Sequence, residues 1–341
     1  MLILDGGQGE GGGQIVRTAL TLSCILGIPF RVRRIRAGRE PSGLRPQHVA
    51  AIRAATDICG AHVEGAEVGS ETLTFEPGGS VRAGTYDWEI GTAGAATLVL
   101  QTVLLPLALA KSESSVSVRG GTHVPHSPSA HYLRDVYVPL LLEMGADAAL
   151  FIEAYGWMPE GGGQIDAQIA GSARLVGRDL RNRGELERVF GAAVASSLPS
   201  HIPQRMANRA INLIDSVESF DAPVDIRPLR TSGISAGAGI FLTAEYGNGR
   251  GGWGVLGHKG MPSEVVAGDA VTALLSFHDS GAAVDRHLAD QLVIPLALAA
   301  GESAFTTPEI TQHLRTNIET VQHFVDRAIR IDEARHLVSF A

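Results

Sequence analysis

Apolar positions along the chain fall into alternating strand and helix rhythms. Met1 to Leu4 form a short apolar run that predicts a strand, and a glycine-rich stretch follows it. From Gln14 onward Ile15, Ala19, Leu22, Ile25 and Leu26 recur at helical spacing. Phe30 to Ile35 alternates as a strand. Pro46 opens a helix whose face is Val49, Ile52, Ala55 and Ile58, and Gly60 stops it. His62 to Phe75 predict strands with a turn at Gly69-Ser70, and Tyr86 to Ile90 predict another. The uncharged run from Ile90 to Ala110 is long enough to span a bilayer. Its Gln101, Pro106 and threonines fit a helix buried on all sides in a large core better. A strand at Ser115 to Val118 and a helix at 129–143 start the pattern again, and a third pass is expected from about Ala148.

The rhythm then breaks. From about Asn182 to Phe277 the pattern is mixed, with a helix at Ile202 to Val217, an apolar strand at Gly239 to Tyr246 and a glycine-rich hairpin at Gly247 to Gly254. This predicts a smaller domain, residues 182–277, inserted into a larger one made of 1–181 and 278–341. Two phrases recur across the large part. Glu10-Gly-Gly-Gly-Gln-Ile15 returns as Glu160-Gly-Gly-Gly-Gln-Ile165, and Gln101-Thr-Val-Leu-Leu-Pro106 is echoed by Gln291-Leu-Val-Ile-Pro295. Such spacing predicts a large structural unit used several times.

Composition adds boundaries. The 341 residues are 45% hydrophobic and 19% charged, ordinary for a globular chain, with a net charge of −8. No global attraction to nucleic acid or membrane is expected, so any polyanion site must be local. Against that background the arginines stand out: Arg31, Arg33, Arg34, Arg36 and Arg39, with Arg45 close behind and only Glu40 opposing. Planar, bidentate arginine is the side chain suited to phosphate. Arg17 sits near the start of a helix, where the dipole disfavours a cation unless an anion joins it. Cys24 and Cys59 lie in apolar helical stretches and read as buried small hydrophobes in a reducing compartment. No secretory signal pattern opens the chain, and a cytoplasmic protein is expected.

Several chemistries are weighed by pattern alone. Gly7-x-Gly9-x-x-Gly12 satisfies a dinucleotide-binding pattern, but a Glu inside the loop and three consecutive glycines argue against it. No P-loop, zinc spacing or Gly-x-Ser-x-Gly elbow occurs. Glu10 is either an acceptor for loop N–H groups or a metal ligand. Gln101 is a satisfied core amide or a ligand contact. His313 lies off the Ile310, Leu314, Ile318 and Val321 face, the usual position of a solvent-facing helix histidine.

Taken together, the phrases Asp5-Gly-x-Gln-Gly-Glu-Gly-Gly-Gly-Gln14, Ile35-Arg-Ala-Gly-Arg39, Gln47-His48, Leu98-Val-Leu-Gln101, Gly120-Gly-Thr122, Gly156-x-x-Pro-x-Gly-Gly-Gly163, Leu288-Ala-Asp-Gln291 and His313-Leu-x-Thr-Asn-Ile318 resemble the RNA 3′-terminal phosphate cyclase family over nearly the whole chain. The resemblance implies an α/β (α+β) fold, with a large domain of three repeated βαβαββ units and an inserted, smaller, thioredoxin-like domain. It implies ATP-dependent conversion of an RNA 3′-phosphate to a 2′,3′-cyclic phosphate, with a divalent metal, Mg²⁺ or Mn²⁺. His313 would be the nucleophile that carries AMP. Gln101, Pro128, His287, Leu288, Ala289, Asp290 and Gln291 would line the ATP site. Arg17, Arg36, Arg39, Gln47 and His48 would hold the RNA phosphate end, and Glu10 would bind the metal. Partners would be RNA 3′-phosphate ends and ATP, with no membrane and no obligate protein partner.

The chain also departs from that family's pattern. His287 stands where an aromatic residue such as Tyr is usual, His131 where an acidic residue is common, and Tyr155 where a basic one precedes the glycine signature. Two other readings stay open at this stage. One is a non-catalytic cyclase-like protein of ribosome assembly or RNA binding, whose members lack the nucleophilic histidine. The other is an enolpyruvyl transferase, which gives no reason for His313-x-x-Thr-Asn.

Overall fold

A computed structural model describes residues 1–9, 12–218 and 220–341. Glu10, the expected metal ligand, lies outside the described residues. The chain opens with β1 (Leu2–Asp5), α1 (Gln14–Leu26), β2 (Phe30–Arg33), α2 (Pro46–Cys59), β3 (His62–Glu64) and β4 (Leu73–Glu76). These strands form one sheet in the order β1-β2-β4-β3, parallel at β1/β2 and antiparallel at the other two pairings. Glycines in the left-handed region end both helices, Gly27 after α1 and Gly60 after α2, each donating its N–H to a carbonyl four residues back.

The same order of elements follows. It runs β5 (Thr85–Glu89), α3 (Ala96–Leu109), β6 (Ser114–Gly120), then α4 (Ala130–Tyr132), a π-helical turn (Leu133–Tyr137) and α5 (Val138–Glu143), then β7 (Ala148–Ala154) and β8 (Gly163–Ile169). The sheet order is β5-β6-β8-β7, with pairing senses matching those of the first sheet. The expected phase is therefore corrected. Tyr86 opens the second sheet, and the strand at Ala148 belongs to its end rather than to a third pass. The repeated glycine phrase is not structurally equivalent either. Its first copy precedes a helix, whereas its second spans the β7–β8 connection and runs into a strand. Gly161 and Gly162 take positive φ there, and Gly161 abuts the Thr92-Ala93 backbone.

A third strand set begins at β9 (Asp179–Leu180), and the chain then leaves it. β10 (Leu186–Ser196), α6 (His201–Asp215), β11 (Val224–Thr231), β12 (Gly237–Tyr246), β13 (Gly249–Leu256) and α7 (Ser263–Ser280) come next. Their strands make a separate sheet, β11-β10-β12-β13, with α6 and α7 packed on it over a core that includes Met206, Leu242 and Leu274. The expected hairpin at Gly247 to Gly254 is the turn and most of β13, whereas β10 and β11 were not anticipated as strands: β10 carries a Gly-Ala-Ala-Val-Ala run, which lacks two-residue alternation. The chain returns with α8 (Arg286–Gln291), α9 (Val293–Leu298), β14 (Ser303–Thr306), α10 (Gln312–Gln322), β15 (Ile329–Asp332) and β16 (Leu337–Phe340). Here the sheet order β9-β14-β16-β15 again has one parallel and two antiparallel pairings.

One core unites the first, second and last sheets. α3 runs through it with nearly every residue buried, as its uniform hydrophobicity predicts, and among the described residues no helix is long and apolar enough to cross a membrane. Pro106 sits inside α3 without ending it. Cys24 of α1 and Cys59 of α2 are buried free thiols, with Sγ atoms 3.7 Å apart.

The second core meets the first through a buried aromatic cluster. His123, His131 and Trp157 pack against Phe241 of β12, Tyr155 stacks on His123 and Trp157, and Trp157 Nε1 donates to Ser196 Oγ of β10 at 2.7 Å. A hydrogen-bonded chain threads it. The Gly156 N–H donates to Thr122 Oγ1, Thr122 Oγ1 lies 2.8 Å from His123 Nδ1, and His123 Nε2 lies 2.8 Å from His131 Nδ1. His131, where the resembled family commonly has an acid, is a buried partner at the junction of the two cores.

Candidate active site

Three helices bring the site together: α1, α8 and α10. Thr18 Oγ1 of α1 donates to Asn317 Oδ1 of α10 at 2.7 Å, and Asn317 Nδ2 donates to the Asp290 carbonyl of α8 at 2.6 Å. Asn317 is 3% exposed, so both ends of its amide are satisfied inside the protein. Gln101 of α3 joins the same junction, donating through Nε2 to Gln291 Oε1 at 2.8 Å. The two echoed Gln…Pro phrases thus face each other, one on α3 and one on α8–α9.

These elements wall a cavity of about 1580 Å³. Arg17, Arg36, Arg39, Gln47, His48, Gln101, Pro128, His287, Asp290, Gln291 and His313 all line it. Leu288 and Ala289 do not: both are fully buried, and their side chains belong to the core under α8. That is the consequence of α8 being amphipathic, with His287, Asp290 and Gln291 on one side and Leu288 and Ala289 on the other.

His313 is the second residue of α10, half-buried, behind Thr311, whose Oγ1 caps the helix by accepting the Leu314 N–H at 3.1 Å. Leu314, Ile318 and Val321 are buried beneath it, as their spacing predicts, and the histidine faces the cavity rather than open solvent. His287 lies close enough to feel the charge of His313. Its imidazole keeps accessible surface toward the cavity, but the protein around it withdraws it from bulk water and lowers its pKa. Gln8 and Gly9, after β1, lie against α10. Gln8 Nε2 donates to Glu319 at 2.7 Å, and a Cβ at Gly9, whose φ is +60°, would fall 2.0 Å from Thr316 Oγ1.

The opposite wall is cationic. Arg17 is half-buried on the first turns of α1; loss of hydration lowers its pKa to about 10, against the opposing pull of Asp290, and it stays charged at neutral pH. Arg36 holds its guanidinium on the Pro41 and Gly43 carbonyls, at 2.8 and 3.1 Å. Its pKa is lowered by burial and then by Arg45 and Arg39 beside it. His48 is 3% exposed. Burial, followed by the nearby charges of Arg17, Arg36 and Arg45, pulls its pKa down to about 3. Its Nδ1 accepts the Arg45 N–H at 3.0 Å, so the neutral ring carries its proton on Nε2. That nitrogen points at Gly13, where a Cβ would approach to 2.0 Å. Gln47 accepts the Ala95 N–H through Oε1 at 3.0 Å, which helps start α3 and leaves its amide NH₂ for the cavity.

Several lining residues carried no signal in the sequence reading. Tyr132, Tyr137, Met158, Phe241 and Trp253 all border the cavity, the last two brought from the second core by long-range packing. Asp285 is 2% exposed and caps α8, accepting the His287 and Leu288 N–H groups. Its place just ahead of a helical run is a sequence-readable cap signal that could have found it. Among the described residues no group of three or more His, Cys, Asp or Glu gathers as a metal cluster. The described residues therefore do not form a cage for Mg²⁺ or Mn²⁺.

Buried histidines give the fold a pH signature. His48 and His131 have pKa values near 3, and His123 is also pushed well below its ordinary value, mainly by burial. Between about pH 3 and 6.5 the unfolded chain binds protons that the folded one refuses, so stability falls as pH drops. We expect denaturant unfolding to lose up to about 1.4 kcal/mol per pH unit for each such histidine below pH 6.5. A flat stability curve from pH 7 to 4.5 would contradict neutral burial of these rings.

Comparison with known proteins shows the family. The family model described as RNA 3′-terminal phosphate cyclase matches residues 8–331. A protein of Trichormus variabilis called RNA 3′-terminal phosphate cyclase is 48% identical over 347 aligned positions, covering 100% of this chain and 99% of that one. Proteins of the same name from Methylococcus capsulatus and Salmonella agona are 47% and 41% identical, covering 95% and 99% of this chain and 91% and 96% of their own lengths. The chain belongs to the RNA 3′-terminal phosphate cyclase family.

Proposed function

We propose that the protein converts RNA 3′-terminal phosphates to 2′,3′-cyclic phosphates at the expense of ATP, through a histidine–AMP intermediate. The observation that carries this reading is the convergence of His313 on one cavity with Arg17, Arg36 and Arg39 and with Gln101, Asp290 and Gln291. A phosphate monoester dianion is a poor electrophile, and adenylylation gives its phosphorus a good leaving group. An imidazole nitrogen of His313 attacks the α-phosphorus of ATP; the N–P bond forms as the bond to the β-phosphate oxygen breaks and pyrophosphate leaves. An oxygen of the RNA 3′-phosphate then takes AMP from the histidine, forming a phosphoanhydride. The neighbouring 2′-hydroxyl attacks the RNA phosphorus, loses its proton and expels AMP.

Each step gathers negative charge, and the arginine wall suits it. Arg36 and Arg39 beside the neutral His48 hold the RNA phosphate; Gln101, Pro128, His287, Asp290 and Gln291 border the ATP side. With His287 in place of an aromatic residue, the stacking surface for adenine is smaller. A divalent metal accompanies ATP in this reading and neutralises its phosphate charge, and none of the steps above is assigned to it. ATP-dependent adenylylation places the protein with nucleotidyl-transferring ligases. The non-catalytic reading gains no support from a site that presents His313 to the cavity.

Incubating the protein with α-phosphate-labelled ATP and Mg²⁺ or Mn²⁺ is expected to leave acid-labile label on wild type and none on His313→Ala. Equal label on both would place the adenylyl acceptor elsewhere. Arg17→Ala and Arg39→Ala are expected to remain folded and to lower cyclisation of a 3′-phosphate RNA at least tenfold, as loss of one charged contact to the anion implies. Wild-type cyclisation rates in both would remove these arginines from phosphate handling.

A further inference from the structure

One buried carboxylate is shared by three parts of the molecule. Asp285 Oδ1 accepts the His287 N–H at 2.8 Å and the Leu288 N–H at 3.0 Å, starting α8. Its Oδ2 accepts the Gly252 N–H of β13 at 3.0 Å, and the Tyr132 hydroxyl donates to both oxygens, at 2.8 and 3.0 Å. Tyr132 and Gly252 line the cavity, as do His287, Asp290 and Gln291 on the helix that Asp285 starts. β13 is the outer strand of its sheet, so its free edge is what meets this carboxylate. Gly252 must lack a side chain there, because a Cβ would lie 2.6 Å from Val136 Cγ2.

We propose that Asp285 is a positioning residue for the nucleotide. By tying the start of α8 to the edge of β13, it fixes the distance between the ATP-bordering face of α8 and the wall supplied by the second core, and it gives that inserted part a role in nucleotide binding. Arg36 and His48 make their hydrogen bonds elsewhere, to the Pro41 and Gly43 carbonyls and the Arg45 N–H. The proposal rests on the cyclase reading for the identity of the nucleotide.

The geometry supplies a selective variant. In Asp285→Asn the amide oxygen still caps α8, while the amide NH₂ faces the Gly252 N–H, donor against donor. The neighbouring Arg250 N–H to Ala283 carbonyl bond, 2.9 Å, keeps β13 docked. Equilibrium binding of ATP to the full chain, and of a 3′-phosphate RNA in the absence of ATP, is measured on wild type, Asp285→Asn and Tyr132→Phe; closure of an RNA whose 3′-phosphate already carries AMP is measured on wild type. We expect Asp285→Asn to weaken ATP binding about tenfold, the size of one lost charge-assisted hydrogen bond. Tyr132→Phe weakens it less, and affinity for the 3′-phosphate RNA stays within about twofold of wild type in both. Unchanged ATP affinity in a folded Asp285→Asn, or equal losses in ATP and RNA binding, would overturn the assignment. If wild type fails to close pre-adenylylated RNA, the cyclase reading falls, while the ATP isotherms still decide the role of Asp285.

Discussion

The site depends on an excess of arginine around one cavity, with Arg17 and Arg36 half-buried beside the buried His48. Among the described residues lining the cavity, Arg17, Arg36, Arg39, Arg45 and Arg286 face only Asp290 and Glu309 as acids, in a chain whose net charge is −8. Burial and neighbouring arginines already lower the pKa of Arg36, and the same charges help keep His48 neutral. Such a wall is electrostatically suited to a polyanion. Placing neutral His48 beside the arginines lets it donate a hydrogen bond without adding charge that would have to be desolvated.

The fold makes this arrangement rigid. Asn317 links α10 to α1 and to α8, and the Gln101–Gln291 pair links α3 to α8, so the helices carrying His313, Arg17 and Asp290 cannot shift independently. Three sheets with one strand order share the core beneath them, and the second core closes the remaining side through β12 and β13. Arg17, Asp290, Gln291 and His313 thus project from packed helices, an arrangement that favours a fixed mutual geometry.

Much of this was legible in local pattern. The first helices, the fully buried α3 and the apolar face of α10 followed from spacing alone, and the arginine cluster followed from charge against an acidic background. What failed did so for physical reasons. Glu-Gly-Gly-Gly-Gln-Ile has no intrinsic preference for the loop before a helix over the turn between strands, so an identical phrase marked two unrelated places. β10, rich in Gly and Ala, takes its conformation from its sheet partners rather than from its own alternation. Leu288 and Ala289 share a motif with cavity residues yet point the other way, because a helix turns by 100° per residue and a phrase does not. Phe241, Trp253 and the Gly252–Asp285 bond come from pairings that no local window contains.

The most direct measurement of the central claim is end analysis of a short RNA bearing a 3′-phosphate, incubated with the full-length protein, ATP and Mg²⁺ or Mn²⁺. The account predicts an ATP-dependent product whose terminal phosphate resists phosphatase and regains sensitivity after mild acid opens the ring, with one AMP released per end. A folded protein that binds ATP and RNA yet leaves every terminal phosphate open to phosphatase would contradict it.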